Sequence, residues 1–332
     1  MLLTSHDLKA WADEQELSDL LFAELDFRLV KILEAIYHDD FLAKRLYMKG
    51  GTAINKLYLK DTSRLSVDLD FNHIGAKEEV LKERQALREH ICKILEKHDE
   101  ECIIHSKHRY EQTTIKARYK TLYGMTRSLK IEISHVERFP ILPPVQKQIK
   151  TPEGNSEVTT YTLEELTSTK LRALMERSKG RDVYDLYFIS KLKPNPTITR
   201  KMFLYYFYRS RKIFNSKIHY QNLTKRYETN YVDDVSAFIK PTVRFDLSKA
   251  AKEVTLAYSF LNDLDSTDKD FLKLAAMLLG RKIPKKDIAT LRKVEKPLSF
   301  LFDGTEISET AANILADEIK LFARSKHKTK QE

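Results

Sequence analysis

Two aspartates lie close together in a stretch that favours β-structure, Ser66-Val-Asp-Leu-Asp-Phe71. Because successive side chains of a strand point to opposite faces, Asp68 and Asp70 share one face with Ser66. The apolar side chains are expected on the opposite face, towards the core, and are Val67, Leu69 and Phe71. Carboxylates two residues apart lie roughly 6–7 Å apart at the backbone and can converge on one hard cation. By itself the pair indicates little, since most such pairs simply face solvent.

A pair of adjacent glycines precedes the aspartates and favours a functional site over a solvent-facing acidic pair. Gly50 and Gly51 lie between Lys49 and Thr52, where a short strand is expected to turn into a helix. Glycines at such a turn let backbone N–H groups approach a phosphate closely, and the start of the helix favours the anion. The alternative is a plain tight turn beside a surface acidic pair. We interpret residues 49–52, together with Ser66, as a triphosphate-binding turn.

A third carboxylate belongs to a later strand, Leu129–Ser134. Alternation there points Leu129, Ile131 and Ile133 inward and Glu132 outward. If this strand pairs beside the one that carries Asp68 and Asp70, Glu132 joins the two aspartates. Three carboxylates suit Mg²⁺, which prefers oxygen ligands and leaves room for phosphate oxygens. A site with two metal ions is also consistent with this set.

Lys170 and Asp185 interrupt the apolar stripes of two helices predicted at about 163–177 and 181–192. A lysine in such a stripe is costly unless its ammonium meets a partner. One interpretation is a buried Lys170–Asp185 ion pair that ties the two helices together. The other is that both residues face the metal and the triphosphate, with the lysine as a point charge on phosphate. Both can hold, as the free and the liganded state.

The elements that must position these residues follow from periodicity and turn signals. Helices are predicted at 6–38, 52–59 and 77–98, and strands at 46–48, 65–71, 102–110, 113–122, 129–136 and, after a hairpin, 158–161. Pro194 and Pro196 mark a boundary, beyond which the patterns are mainly helical. The sequence therefore predicts an α+β domain that carries the candidate site residues (1–193), followed by a helical, basic domain (194–332).

Charge and composition limit the class of protein. The net charge is +10, and residues 191–332 hold 28 Lys and Arg against 17 Asp and Glu. This asymmetry favours a polyanionic partner, nucleic acid first; the alternative is a merely solvated lysine-rich surface. We find no apolar run of the roughly 20 residues that a membrane-spanning helix needs and no secretory signal. Two cysteines do not form a disulfide framework. We therefore expect a cytoplasmic protein without a membrane partner.

Basic residues and aromatic residues alternate in Lys201–Phe214, KMFLYYFYRSRKIF. Such a segment suits an RNA backbone and unstacked bases; the alternative is an amphipathic helix that buries its aromatics in the domain core. Two further basic clusters, 281–286 and 292–296, are candidates for phosphate contacts.

The chain resembles the AbiEii/AbiGii family of nucleotidyltransferase-like toxins, within the DNA polymerase β-like nucleotidyltransferase superfamily. The matching stretches are KGGTAINKLY, RLSVDLDF, LKIEIS and STKLRALMERSKGRDVYDLYFI, in this order over roughly residues 45–190. The resemblance implies a mixed sheet flanked by helices, a Mg²⁺-bound nucleoside triphosphate, and transfer of a nucleoside monophosphate with release of pyrophosphate. It does not extend to residues 195–332.

Individual roles follow from that resemblance. The glycine pair matches the turn that holds the triphosphate, and the later Lys170 and Asp185 match a lysine and an aspartate of the family. The metal carboxylates are matched by Asp68 and Asp70. Thr52 replaces a more common serine and keeps the hydroxyl, whereas Glu132 stands where aspartate is more common.

The resemblance also implies a biological role. Family members are toxins of toxin–antitoxin or phage-defence pairs, and some resemble enzymes that add nucleotides to the 3′ end of tRNA. We therefore expect a toxin that transfers nucleotides to RNA, a tRNA 3′ end first, with an antitoxin encoded beside it. Two alternatives stay open: transfer to a protein hydroxyl, and a non-catalytic module that binds RNA or a partner on this fold.

Overall fold

The computed structural model describes residues 3–59, 64–99, 103–177, 179–215, 235–280, 297–302 and 305–313. The chain divides into two compact units. The first is formed within Met1–Phe139, Pro144–Tyr161 and Asp234–Phe245, and the second within Pro140–Pro143, Thr162–Asp233 and Asp246–Glu332. The boundary predicted from Pro194 and Pro196, between a domain at 1–193 and one at 194–332, stays a prediction.

Helices of the first unit are α1 (Ser5–Glu14), α2 (Leu20–His38), α3 (Asp40–Ala43), α4 (Gly50–Ile54) and α5 (Lys77–His98). The prediction of one helix over residues 6–38 is wrong, because two helices, α1 and α2, cover this stretch. Glu16 has a positive φ of 55°, and Asp19 caps α2 by accepting hydrogen bonds from the backbone N–H groups of Leu21 and Phe22. These two features end one helix and begin the next. A π-helical turn, Asn55–Leu59, continues α4.

Seven strands of the described chain form one mixed sheet, in the order β3-β4-β5-β2-β1-β7-β6. The strands are β1 (Leu46–Lys49), β2 (Asp68–His73), β3 (Ile103–His108), β4 (Gln112–Lys120), β5 (Thr126–Ser134), β6 (Val145–Thr151) and β7 (Gly154–Thr160). The β1–β7 and β2–β5 pairs are parallel and the others are antiparallel. Helices α2 and α5 pack on the sheet, so the predicted class, a mixed sheet flanked by helices, is confirmed.

The strand that carries the aspartates begins later than predicted, at Asp68 rather than Leu65, and ends at His73. Pairing explains the shift, because Leu46 of β1 lies opposite His73, while the backbone N–H of Leu65 donates to the carbonyl of Phe238 instead of a strand. Ser66 and Val67 thus precede the strand.

The second unit is helical in its described part. Its helices are α6 (Leu163–Arg177), α7 (Gly180–Lys191), α8 (Pro196–Arg209), α9 (Leu247–Ala257), α10 (Ser266–Leu278), α11 (Pro297–Leu301) and α12 (Glu309–Asn313). Helix α6 packs against α7 and α8, α7 against α9, and α8 against α10. Across the described residues, no helix is both long and apolar enough to cross a membrane.

Candidate active site

The two aspartates and the glutamate lie on neighbouring strands. The condition for Glu132 to join the aspartates is met, because β5 pairs beside β2. The parallel register places Glu132 opposite Asp70 and Lys130 opposite Asp68. The intervening residues Leu69 and Ile131 are fully buried on the helix-covered face. Because alternation fixes the other face, Asp68, Asp70 and Glu132 all lie on the side of the sheet away from that core.

Lys130 lies between the acidic groups, a contact that the sequence did not predict. Its Nζ is 3.2 Å from Asp68 Oδ2 and 3.2 Å from Glu132 Oε2. Burial opposes the charged ammonium, but the two carboxylates hold the pKa of Lys130 above its ordinary value. Alternation along β5 puts Lys130 on the same outward face as Glu132, and the strand pairing supplies its second partner, Asp68.

Asp70 lies against the glycine turn. Gly50 has φ +73°, and a Cβ there would lie 3.0 Å from both Cβ and Cγ of Asp70. Burial raises the pKa of the Asp70 carboxyl; Lys49 opposes the shift, and Glu132 and Asp68 add to it. Lys49 itself lies opposite Asp70 in the β1–β2 register. Residue 50 must therefore be glycine, because its φ is positive and because a Cβ there would collide with Asp70.

The rest of the turn is fastened to β2. The Thr52 hydroxyl donates a hydrogen bond to the backbone carbonyl of Asp68, and the Asn55 side chain donates to the Gly51 carbonyl at 2.8 Å. At the start of α4, Lys49 provides no side-chain cap. The Ser66 hydroxyl is buried and has no hydrogen-bond partner among the described residues.

The carboxylates of Asp68, Asp70 and Glu132 are ligands that a hard cation prefers, but they do not already surround a metal position. In the described part of the chain, no group of three or more His, Cys, Asp or Glu side chains is arranged to hold a metal ion. The ammonium of Lys130 lies where positive charge is needed between Asp68 and Glu132. Three carboxylates crowded together, one of them with a raised pKa, favour a cation that would relieve their repulsion.

Lys170 and Asp185 belong to the second unit, where they pair with each other. Lys170 Nζ lies 2.9 Å from Asp185 Oδ2 and 3.2 Å from Asp182 Oδ1. Arg177 also contacts Asp182, at 2.9 Å. The predicted ion pair between the two helices is therefore present. A part for Lys170 and Asp185 in binding the triphosphate stays a prediction.

The aromatic and basic segment Lys201–Phe214 is mostly buried. Phe203 and Phe207 are in the core of the second unit, and Lys201 pairs with Asp265 and Asp268 at 3.3 and 3.5 Å. The interpretation as a core helix is confirmed for Lys201–Arg209, so these aromatics do not offer a surface on which bases could stack. The basic clusters 281–286 and 292–296 lie outside the described residues.

A mixed sheet with carboxylates on adjacent strands beside a glycine turn is the architecture of a nucleotidyltransferase-like protein. The family model described as "Nucleotidyl transferase AbiEii toxin, Type IV TA system" matches residues 31–279. The chain belongs to this family of nucleotidyltransferase toxins.

A solved structure supports the fold. The chain is similar to MenT4, a nucleotidyltransferase toxin from Mycobacterium tuberculosis H37Rv, with a TM-score of 0.61 and 18% identity over 85% of this chain and 100% of that one. At this identity the likeness shows the fold alone. E. coli MS115-1 CdnC with ATP matches at a TM-score of 0.27 and 14% identity, over 87% and 96% of the two chains, too weakly to support an argument. No curated protein matches the chain in sequence.

Proposed function

We propose that this nucleotidyltransferase uses Mg²⁺ to transfer a nucleoside monophosphate from a nucleoside triphosphate to an RNA hydroxyl, at a tRNA 3′ end, and releases pyrophosphate. The observation that carries the proposal is the register of β2 and β5. It brings Asp68, Asp70 and Glu132 to one face, with Gly50 in contact with Asp70. The residues that would bind the metal are therefore neighbours of those that would hold the triphosphate.

Asp68, Asp70 and Glu132 would hold the cation. When bound there, Mg²⁺ supplies Lewis acidity: it lowers the pKa of the acceptor hydroxyl and neutralises charge on the triphosphate. Lys130 pairs with both Asp68 and Glu132 in the free protein and balances only one of their two charges; it would move aside when the cation enters. The buried carboxyl of Asp70 has a raised pKa, so ionising it becomes more favourable once a cation is beside it.

The glycine turn would receive the triphosphate. Its backbone N–H groups begin α4 without a side-chain cap, and such groups bind phosphate oxygens. Thr52 holds the turn against β2 through the Asp68 carbonyl, which positions the N–H groups. Lys49 and Ser66 are the adjacent polar side chains, and Lys170 is the further phosphate contact that we propose.

The test is a transfer assay on total cellular RNA, with each of the four labelled nucleoside triphosphates and with Mg²⁺ or a chelator. We expect label in RNA of tRNA size from the Mg²⁺ reaction and none after chelation. The same reactions are separated into RNA and protein fractions. Label confined to the protein fraction would replace the RNA acceptor with a protein hydroxyl, and no transfer of any nucleotide would refute the proposal.

The biological setting that we propose is a toxin–antitoxin pair that defends the cell against phage and acts in the cytoplasm, where tRNA is found. Expression of the chain alone should stop growth, and coexpression with the neighbouring open reading frame should restore it. Growth that continues despite abundant active protein would contradict the role as a toxin and leave the enzymatic proposal intact.

A further inference from the structure

A cleft of about 510 Å³ lies beside the carboxylates and is not used by the roles given above. It belongs entirely to the first unit. The residues that line it include His105 and Lys107 of β3, Lys116 of β4, and Lys130 and Glu132 of β5. The cleft and the proposed metal site thus share Lys130 and Glu132.

Strand register aligns the cleft with the carboxylates in two rows that cross the sheet. One row runs from His105 through Lys116 and Lys130 to Asp68. The other runs from Lys107 through Thr114 and Glu132 to Asp70, in the same order of strands. Adjacent strands lie about 4.8 Å apart, so Lys116 lies about 10 Å, and Lys107 about 14 Å, from the strand of the two aspartates.

The cations of this cleft are available to a ligand. Lys107, Arg109 and Lys116 are exposed and make no ion pair with any carboxylate of the described chain. Lys130, by contrast, is held by Asp68 and Glu132. Exposed cations without a protein partner, grouped in one concave surface, attract a chain of phosphates.

The in-line geometry of phosphoryl transfer sets the side from which a chain of phosphates that carries the acceptor hydroxyl must approach. The glycine turn follows β1, which lies on one side of β2, whereas β5, β4 and β3 extend on the other side. In phosphoryl transfer the attacking and leaving oxygens lie roughly in line through phosphorus. If the pyrophosphate leaves on the side of the turn, the acceptor hydroxyl must come from the side of β5 and β4.

We propose that the cleft over β3, β4 and β5 binds the backbone phosphates of the RNA strand that ends in the acceptor hydroxyl, through Lys107, Arg109 and Lys116. This inference rests on the proposed function, because it assumes a triphosphate at Gly50–Gly51. It places the RNA contact on the N-terminal sheet, although the excess of basic residues lies in the C-terminal part. Phosphate contacts fix the position of the strand and do not select its sequence.

The test is the double variant Lys107→Gln/Lys116→Gln, with Lys9→Gln/Lys44→Gln as a control that removes the same charge from exposed lysines elsewhere in the first unit. Binding of a short single-stranded RNA with a free 3′ hydroxyl is measured by fluorescence anisotropy at several salt concentrations. The plot of log K against log salt has a negative slope, and each lost phosphate contact makes it less steep by about 0.7 for a single strand. We expect the slope of the cleft variant to be less steep by about 1.4 and that of the control to be unchanged.

Transfer kinetics separate this inference from the proposed function. The cleft variant should show a raised KM for RNA, with the affinity for nucleoside triphosphate, measured by calorimetry, unchanged. If the wild-type chain transfers nucleotide to RNA and the cleft variant keeps its KM and salt slope, the cleft is not the RNA site. If the wild type transfers no nucleotide, the proposed function itself fails. Transfer only to protein, with unchanged RNA binding in the variant, also overturns the inference that the cleft binds RNA.

Discussion

Two clusters of opposite charges, one in each unit, differ in exposure and in balance. In the sheet cluster, Asp68, Lys130 and Glu132 have side chains that are 32%, 29% and 31% exposed. In the helical cluster, Lys170 is 7% exposed, and Asp182 and Asp185 are fully buried. The sheet cluster sets one lysine between two carboxylates, with Asp70 beside them, whereas the helical cluster pairs Lys170 and Arg177 with two aspartates.

The difference separates a cluster that can still take up a cation from one whose charges are already balanced within the protein. Burial, with Glu132 and Asp68 adding to it, raises the pKa of Asp70. Burial would also raise the pKa of Asp182, but hydrogen bonds from Arg177 and the charge of Lys170 hold it below its ordinary value. A cluster with excess negative charge and access to solvent is suited to bind a cation, whereas a buried cluster whose charges are balanced has no excess negative charge to attract one.

The largest expected effect is on catalysis, from Asp70→Asn. The amide keeps the size of the side chain but offers no negative charge to a bound cation. We therefore expect the transfer rate to fall by about a thousandfold or more, which is about 4 kcal/mol of transition-state stabilisation. Labelled nucleotide incorporation measures the loss, and thermal unfolding should show a stability equal to or above that of the wild type. Full activity of this variant would remove Asp70 from the metal site.

The helical cluster should respond in the opposite way, with a loss of stability. Lys170→Met takes the ammonium from the buried carboxylate of Asp185, and breaking a buried ion pair from one side costs about 3–5 kcal/mol. Denaturant unfolding of the variant measures this loss. Lys170→Met/Asp185→Leu should recover most of it, because apolar replacement of both partners is often close to neutral.

The double variant also decides between the two interpretations of Lys170. If the pair only joins α6 and α7, the refolded double variant transfers nucleotide with the wild-type KM for triphosphate. If Lys170 contacts phosphate, as we propose, the double variant folds but has a raised KM for triphosphate. A double variant as unstable as Lys170→Met would show that apolar side chains cannot replace this pair.

A smaller effect is expected from Gly50→Ala, with Gly124→Ala as a matched control. Both glycines have positive φ, +73° and +77°, but a Cβ at residue 50 would press on Asp70, whereas one at residue 124 would meet nothing within 4 Å. Each alanine costs about 1–2 kcal/mol of backbone strain. A misplaced catalytic group can lower the rate by about a hundredfold, and this loss should occur only at Gly50. Equal activity of the two variants would show that the turn does not position Asp70.

Part of the site could be predicted from the sequence alone. Alternation within a strand is local, so the shared face of Asp68 and Asp70 followed from residue types. The neighbourhood of Glu132 depends on which strands pair, and Lys130 acquires its two partners only through the parallel register of β2 and β5. Residues that pair there, such as Asp68 and Lys130, are 62 positions apart in the chain, and no local pattern specifies that contact.

The fold shows the same limit of local patterns. Periodicity predicted α5 at its observed bounds, because a long amphipathic helix is defined by its own residues. The segment at Lys201 carried two interpretations, since aromatic residues with interspersed basic ones suit a core or an RNA surface. The partners that allow Lys201 to be buried lie more than 60 residues later: the carboxylates of Asp265 and Asp268 and the hydroxyl of Thr267.

The smallest effect, and the most direct comparison of the two clusters, is their pH dependence without added metal. The folded pKa of Asp70 lies above its ordinary value of 3.8, so the ionised carboxylate destabilises the fold at neutral pH and the penalty disappears at lower pH. The folded pKa of Asp182 lies below 3.8, so its charge stabilises the fold above that pH, and this stability is lost as pH falls through the folded pKa. Relative to the wild type at pH 7, Asp70→Asn should therefore raise the free energy of unfolding and Asp182→Asn should lower it. Denaturant unfolding from pH 7 to the lowest pH at which the fold persists should show two different windows. The Asp70 difference should vanish as pH falls from the raised folded pKa to about 4, whereas the Asp182 difference should shrink only below about pH 4. Differences of the same sign would mean that the two clusters do not differ as their burial and charge balance indicate.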